Sequence, residues 1–590
     1  MESGNFSLYR QNPVIDIDLY QTMYHNVFEL NKNNLNAYSI GFFGKNITFK
    51  ELKNNVDRLA SIYSNFGIKE GDTVAIATIC MPIVQENLLA LSKLGATSKW
   101  IDLRNKKKDL IKKINESNCE IIVIFEGILP LIQEIIGETN LKKVVVASPK
   151  SYLNPVIHLL ADLKDQKENK LIRIPDDKRF ISYNEFVKIN GNNVKEVSFN
   201  KDRPSIILQS SGSTGEPKTI IHTEYNFNSA MRKESYSDLP FAKGRAMHVS
   251  VPPFIIYGLN NSIYAALVFG MKAEMSPYVN ESTVFDDLGK FDFACATPLH
   301  YRYIYDRITK LQNDINYLEK QSDNYSKKEL IKCLKELNLI MKKLSRVQIF
   351  VSGGDTIAAQ EQLNMEHTFG KTIINGYGNN ELTGAAIISP VYASKLNSVG
   401  IPMKDITVRS FDPDTMQELK VKEEGELCVL TDNAFVAYLG NEKETKRIKR
   451  LHNDGKEWIH TGDLGYVDED GYVFITGRIE RLIKRTAFKI APEVIEKVIL
   501  SLKEVSDCVV VGVPDTEEKQ VPMAFIKLTS EYSDKENVLL DSIKKICGDE
   551  LPDYEIPKYF VIVKDIPYKN GKHAFLELEE KGKEYVKKIK

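Results

Sequence analysis

A run of ten residues, Gln209, Ser210, Ser211, Gly212, Ser213, Thr214, Gly215, Glu216, Pro217 and Lys218, has the composition of a phosphate cradle. Glycine lets backbone N–H groups approach an anion with no Cβ in the way, and the hydroxyls of Ser210, Ser211, Ser213 and Thr214 add donors for phosphoryl oxygens. The spacing is not that of a Walker A loop, which places Lys directly after its second glycine, because Glu216 and Pro217 stand before Lys218. A solvated Ser/Gly turn has the same composition, so the other candidate residues decide between the two readings.

Three further stretches carry such residues. The strand-like run 347–351 is broken by Ser352, Gly353, Gly354 and Asp355, and the run 372–374 ends in Asn375, Gly376, Tyr377, Gly378, Asn379, Asn380 and Glu381. Loops at strand ends are where open α/β sheets build ligand sites. The Gly-Tyr-Gly part begins like a dinucleotide fingerprint, but Glu381 replaces its third glycine. Thr461, Gly462 and Asp463 put an acid on an expected turn, placed either to hold a ribose diol or to satisfy its own turn backbone.

The elements that position these residues alternate in type. Apolar runs at 206–208 and 220–221 predict strands on either side of the Ser/Gly loop, and residues 20–150 alternate helical and strand-like segments in α/β layering. Residues 151–197 read as a polar connection, 252–258 as a turn between apolar segments, and the lysine-rich 310–344 as a solvated helical hairpin. Short strands at 406–409, 425–431 and 472–476 suggest a β-rich subdomain. After a charged connector at 478–485 comes a small α+β pattern that ends in a polar, mobile-looking turn at 567–572.

Size and charge bound the function. A chain of 590 residues exceeds one core and implies several folding units. Its 79 basic and 80 acidic residues are evenly mixed at a net charge of -1, so no global field recruits nucleic acid or an anionic membrane. A small-molecule partner is expected. The seven cysteines are odd in number and lack zinc spacing, which reads as reduced core thiols in the cytosol. The most apolar stretch, 121–136, contains Glu126, Pro130 and Glu134, and no secretory pattern opens the chain, so no transmembrane segment is expected.

In this order and at these distances, the segments resemble the adenylate-forming superfamily of acyl-CoA synthetases, carrier-protein adenylation domains and beetle luciferases, from about residue 48 to Lys572. The resemblance implies a large N-terminal domain, 1–477, of layered α/β subdomains plus the β-rich one. A small mobile α+β lid, 478–590, would turn about a hinge near Glu480, where Asp or Lys is more usual. By the same resemblance Ser210 to Gly215 and Lys218 form the phosphate loop, with Thr214 catalytic. Asn375, Gly376, Tyr377, Gly378 and Asn380 join the ATP and AMP site, Tyr377 stacks on adenine, and Glu381 is the catalytic, metal-linked acid. Asp463 takes the ribose hydroxyls, Arg478 follows it, and Lys572 is the catalytic lysine of the lid.

Phe254, Ile255, Tyr257, Gly353 and Gly354 would line the acyl pocket, and Ala487 and Lys489 the coenzyme A tunnel. Three positions depart from the pattern: Asn380 replaces a Thr that contacts the α-phosphate, Ile255 replaces a His, and Ala487 replaces a Gly. The expected reaction is ATP-dependent conversion of a fatty or aryl carboxylic acid to acyl-AMP with release of pyrophosphate, then transfer to coenzyme A, with Mg²⁺ required. The alternatives are an adenylation enzyme that loads an acyl carrier protein and a non-catalytic nucleotide-binding regulator. A cytoplasmic location is expected.

Overall fold

Helix Phe49–Asn65 shows how local sequence sets the first layer. Thr48 caps it: the Thr48 hydroxyl accepts from Glu51 N–H at 3.2 Å, and the Glu51 carboxylate accepts from Thr48 N–H at 2.8 Å. Leu52, Val56, Leu59 and Tyr63 recur at helical spacing on its buried face, where each fully buried apolar side chain contributes roughly 1.5–3 kcal/mol. The computed structural model describes residues 9, 15–153, 166–167, 172–209, 218–321, 323–486, 488–529, 532, 536–569 and 572–589. These fall into two compact units, one built from residues up to 209, 218–406 and 431–445, the other from 407–430 and 446–589.

The first unit holds two sheets. In the eight-stranded one, Thr73–Ala77, Thr97–Trp100, Ile121–Phe125 and Lys143–Ala147 run parallel, and their buried, largely apolar sequences fit strands covered on both faces. Pro204–Gln209 joins them in parallel and pairs antiparallel with Thr219–Thr223, Gln209 facing Thr219. The two strands expected around the Ser/Gly loop are therefore present and adjacent; the loop residues Ser210 to Pro217 lie outside the described residues.

The nine-stranded sheet places Ala246–Val249, Phe293–Ala296, Ile349–Ser352 and Ile373–Asn379 side by side in parallel. Here the structure corrects the sequence reading, which ended a strand at residue 374. The strand continues to Asn379 and folds back as Gly384–Ile388 in an antiparallel pair. Glycine permits this: a Cβ on Gly378 would lie 1.9 Å from the Gly384 carbonyl oxygen. The lysine-rich region forms the expected helical hairpin, Pro298–Leu318 and Asn324–Leu344, packed through Ile308, Leu311, Ile340 and Leu344.

In the second unit, Thr407–Phe411, Gly425–Leu430, Glu457–Val467, Lys449–Leu451 and Val473–Arg478 form a five-stranded antiparallel sheet. Thr461, Gly462 and Asp463 lie inside one of its strands rather than on a free turn. The register slips between Glu426 and Cys428, and Gly462 takes φ +74°, so the acid stands on a bulge. A second five-stranded sheet follows, and along Val505–Asp515 side chains alternate between two cores: Cys508 and Val510 meet Ile495 and Ile543, while Val509, Val511 and Val513 meet Leu578 and Val586. Helix Phe575–Ile589, which the sequence reading passed over, covers that second face. Gly582 lets it approach, since a Cβ there would be 2.7 Å from the Val513 Cγ1.

One buried acid ties the first unit together behind the Ile373–Asn379 hairpin. The Glu234 carboxylate accepts from Asn261 Nδ2 at 2.8 Å, and Asn261 Oδ1 accepts from Ala385 N–H at 3.3 Å. Burial pushes the Glu234 carboxyl from 4.5 up to about 7, against the opposing hydrogen bond from Asn261. Because the folded value lies above the unfolded one, this site's contribution to stability is greatest below 4.5, falls as pH rises toward about 7, and is flat beyond. Glu234→Gln keeps the acceptor for Asn261 without the titration. Its stability relative to the parent, read from urea midpoints, is expected to improve from pH 5 to pH 8; an equal difference at both would remove this role.

Candidate functional site

In the first unit the site grows from the turn after Asn379. Glu381 is held by its backbone, whose carbonyl accepts from Phe435 N–H at 2.8 Å, and by its carboxylate, whose Oε1 accepts from Tyr438 Oη at 2.6 Å. Tyr438 comes from a short strand, Ala437–Tyr438, that pairs with Ile220 and Ile221. Lys218 stands beside it, its Nζ 5.2 Å from the Tyr438 ring centroid and 3.1 Å from Glu444 Oε1. Lys218, Tyr438 and Glu381 thus form a row that the sequence spacing did not reveal.

Asn380 joins two other elements. Its Nδ2 donates to the Gln209 carbonyl at 3.2 Å, at the last described residue before the Ser/Gly loop, and its Oδ1 accepts from Ile256 N–H at 3.4 Å. An amide carries donor and acceptor on separate atoms, so one side chain serves both contacts. Asn375 is anchored deeper, its Nδ2 donating to Gln362 Oε1 at 3.1 Å.

The residues expected around an acyl group fall into two clusters. The Tyr257 hydroxyl donates to the Val351 carbonyl at 3.2 Å, and its ring lies against the glycines: a Cβ on Gly353 would be 3.1 Å from the ring Cζ, and one on Gly354 3.7 Å from Cδ1. The Gly376 carbonyl lies 3.4 Å from the same Gly353 position. Phe254 lines a cavity of about 150 Å³ with Cys80, Leu103, Arg104 and Ser250, and the Arg104 guanidinium sits 5.2 Å from its ring centroid. Ile255 is half-buried on the turn between them. Two cavity groups escaped sequence reasoning. Ser250 Oγ hydrogen-bonds His300 Nε2 at 2.8 Å, with burial and then His248 pushing His300 down to about 3, and the Cys80 thiol donates to the Val251 carbonyl at 3.1 Å.

In the second unit, Asp463 and Arg478 face each other across paired strands, with Arg478 Nε 2.9 Å from Asp463 Oδ1. Asp463 is buried and Arg478 exposed. Glu480 lies on the short helical turn Ile479–Arg481 between the two sheets, 3.8 Å from Arg447. The basic run beyond it is partly committed: Arg485 Nε bonds Glu518 at 2.5 Å and an Nη donates to the Tyr554 carbonyl at 2.8 Å. Lys489 pairs with Lys484 across adjacent strands, while its side chain and all of Ala487 lie outside the described residues.

Lys572 begins the two-residue strand Lys572–His573, paired with Tyr568–Lys569. The Lys572 side chain is not among those described. Its neighbours tether the hairpin: Tyr568 Oη donates to Asp507 Oδ2 at 2.8 Å, and His573 Nε2 lies 3.1 Å from the same carboxylate. Asp507 is another residue that sequence spacing gave no reason to select.

Residues 29–439 match the AMP-binding enzyme family and residues 494–572 match the AMP-binding enzyme C-terminal domain, so the chain belongs to the AMP-binding enzyme family. Among curated relatives, a probable CoA ligase, CCL5, of Humulus lupulus is 27% identical over 518 residues, covering 86% of this chain and 83% of the relative. Peroxisomal OPC-8:0-CoA ligase 1 of Arabidopsis thaliana is 26% identical, covering 89% of this chain and 86% of its own. Among solved structures, the anthranilate CoA ligase AuaEII in complex with anthranoyl-AMP superposes with a TM-score of 0.78 at 18% identity, covering 97% of this chain and 99% of that one. No helix among the described residues is long and apolar enough to cross a membrane.

A single carboxylate such as Glu381, oriented by a tyrosine hydroxyl, fits Mg²⁺, which takes one or two carboxylates together with substrate phosphates. Partners that orient a metal ligand commonly change metal affinity about tenfold or more when removed. Tyr438→Phe is therefore expected to raise the Mg²⁺ concentration for half-maximal ATP–pyrophosphate exchange about tenfold with the fold intact; an unchanged requirement would separate Tyr438 from Glu381 function.

Proposed function

We propose that the protein is an AMP-forming acid–thiol ligase that activates a carboxylic acid with ATP and passes the acyl group to coenzyme A. The observation that carries this reading is that both parts of the family lie on one chain, whose CoA-ligase relatives are matched over 83% and 86% of their own lengths. A substrate carboxylate oxygen attacks the α-phosphorus of ATP, the bond to the β-phosphate bridging oxygen breaks, and pyrophosphate leaves. Two anions must meet for this, so the site has to supply positive charge and N–H or O–H donors.

In this reading Ser210 to Gly215 and Lys218 hold the phosphates, Thr214 donates to the reacting phosphoryl group, Asn380 orients it, and Tyr377 stacks on adenine. Asp463 accepts from the ribose hydroxyls beside Arg478. Glu381 would hold Mg²⁺, which when bound offsets phosphate charge. Lys572 brings its ammonium to the developing charge. The thiol sulfur of coenzyme A then attacks the acyl carbon, AMP departs, and no covalent bond to the protein forms. Residues 478–590 would act as a lid turning near Glu480, withdrawing Lys572 after the first step and presenting the Ala487 and Lys489 tunnel for the second. A cytoplasmic location is part of the proposal. A carrier-protein thiol as acceptor is the second reading.

The substrate carries no free α-amine. Amino-acid-activating relatives pair that ammonium with an acid near the Phe254 position, and residues 247–273 contain neither Asp nor Glu. A panel of fatty, aryl and amino acids in a pyrophosphate-release assay, with and without coenzyme A, is expected to respond to fatty or aryl acids and to yield acyl-CoA. Response to amino acids alone would overturn the substrate class, and adenylate without acyl-CoA would favour the carrier-protein reading.

Lys572→Ala separates the half-reactions. Acyl-adenylate formation is expected to fall by a factor of about a hundred or more, while thioester formation from supplied acyl-adenylate persists. Equal loss in both steps would make the lysine structural.

A further inference from the structure

Beneath the bulge that carries Asp463 lies a chain of buried polar side chains with no part in the reaction described above. His452 Nε2 is 2.8 Å from His460 Nε2, and His460 Nδ1 is 2.7 Å from Glu426 Oε2. The other carboxylate oxygen, Glu426 Oε1, accepts from Gly462 N–H at 3.0 Å, immediately before Asp463. We infer that His452 and His460, acting through Glu426, are positioning residues that aim the Asp463 carboxylate at the nucleotide ribose. The inference rests on the assignment of Asp463 to the ribose hydroxyls.

The proton order follows from what each group can do. An ionised carboxylate only accepts, so His460 Nδ1 donates to Glu426, and the Nε2 atoms of His460 and His452 share one further proton between them. Burial works against the ionised Glu426, but the hydrogen bond and charge of His460 outweigh it and hold the carboxyl below its usual range. Burial first, then His460, push His452 down toward the neutral form. The groups that face this pair are Glu426, Arg450, Asp454 and Cys428. His452 itself is fixed by packing, edge-on to Phe411 at 4.6 Å and 5.9 Å from Trp458.

Glu426, Cys428 and His460 have donor types that metals use. The hydrogen bonds argue for positioning instead: His460 Nδ1, the atom nearest both partners, already donates to Glu426, and its Nε2 is engaged by His452. What the chain of bonds controls is the backbone of the bulge. Gly462 is at φ +74°, Thr461 Oγ1 donates to the Leu427 carbonyl at 2.6 Å, and Asp463 N–H donates to Thr461 Oγ1 at 3.1 Å. The bonds of Thr461 and Gly462 therefore lead to Glu426 or to the strand that bears it, while Arg478 meets Asp463 from the other side. Releasing Glu426 frees the peptide before Asp463 to rotate and swings the carboxylate away from a fixed diol.

The test compares ATP with 2′-deoxy-ATP in pyrophosphate release by the full-length enzyme, taking the ratio of kcat/KM. Asp463→Asn serves as the reference and is expected to bring this ratio near one. His452→Phe keeps the packing on Phe411 and Trp458 but removes the hydrogen-bonding ring nitrogen, and is expected to lower the ratio about three- to tenfold, through KM for ATP, with kcat and Tm little changed. His452→Gln restores a group that can donate or accept there and is expected to recover most of the ratio. If the Phe variant does not fold, Glu426→Gln, which keeps an acceptor for Gly462 and weakens the His460 bond, is expected to lower the ratio in the same way. Equal loss with both nucleotides in these variants, or an unchanged ratio, would overturn the positioning role. A ratio unmoved by Asp463→Asn would overturn the ribose assignment, and the inference with it.

Discussion

The close pass of backbone between Gly378 and Gly384 is the constraint on which the candidate site in the first unit depends. With any side chain at residue 378 the two strands would separate, and the turn carrying Asn380 and Glu381 would lose its position. From that turn the contacts run outward: Asn380 to the last described residue before the Ser/Gly loop and to the 252–258 turn, Glu381 to Tyr438, and Ala385 through Asn261 to the buried Glu234. The elements that meet here are brought together largely by backbone groups, which accept few substitutes.

Much of this was legible in the sequence because the relevant signals are local. The parallel strands announced themselves as apolar runs and the helical hairpin by its period. What escaped depends on pairing between distant segments. Tyr438 has no local signature and reaches Glu381 only because its strand pairs with Ile220. Asp507 meets His573 through elements whose alignment no single stretch encodes. Two boundaries were misread for one reason: at residues 375–379 and 461–463, glycine reads as punctuation in a sequence, whereas in both places it lets a strand continue through a tight approach or a bulge.

The buried charges are arranged differently in the two units. Glu234, behind the hairpin, has an amide for a partner and is pushed toward its neutral form by burial. Glu426, beneath the Asp463 bulge, is buried too but keeps its charge because a histidine donates to it. A neutral acid tolerates an apolar core and holds elements together cheaply; a charged one binds backbone N–H more firmly and suits a place where direction matters.

The cysteines bear on what the enzyme does to itself. An acyl-adenylate is a mixed anhydride that acylates thiolates readily, so a reactive cysteine near the acyl group would intercept the intermediate. Cys80 lines the cavity beside Phe254, yet burial pushes its thiol up to about 12 and its proton is engaged by the Val251 carbonyl. A thiol so held is almost never a thiolate at neutral pH, and the thiolate is the nucleophile. Under the proposed reading, in which this cavity takes the acyl group, sulfur supplies bulk to its wall without competing for the acyl group, which leaves the incoming acceptor thiol as the species that is chemically free to react.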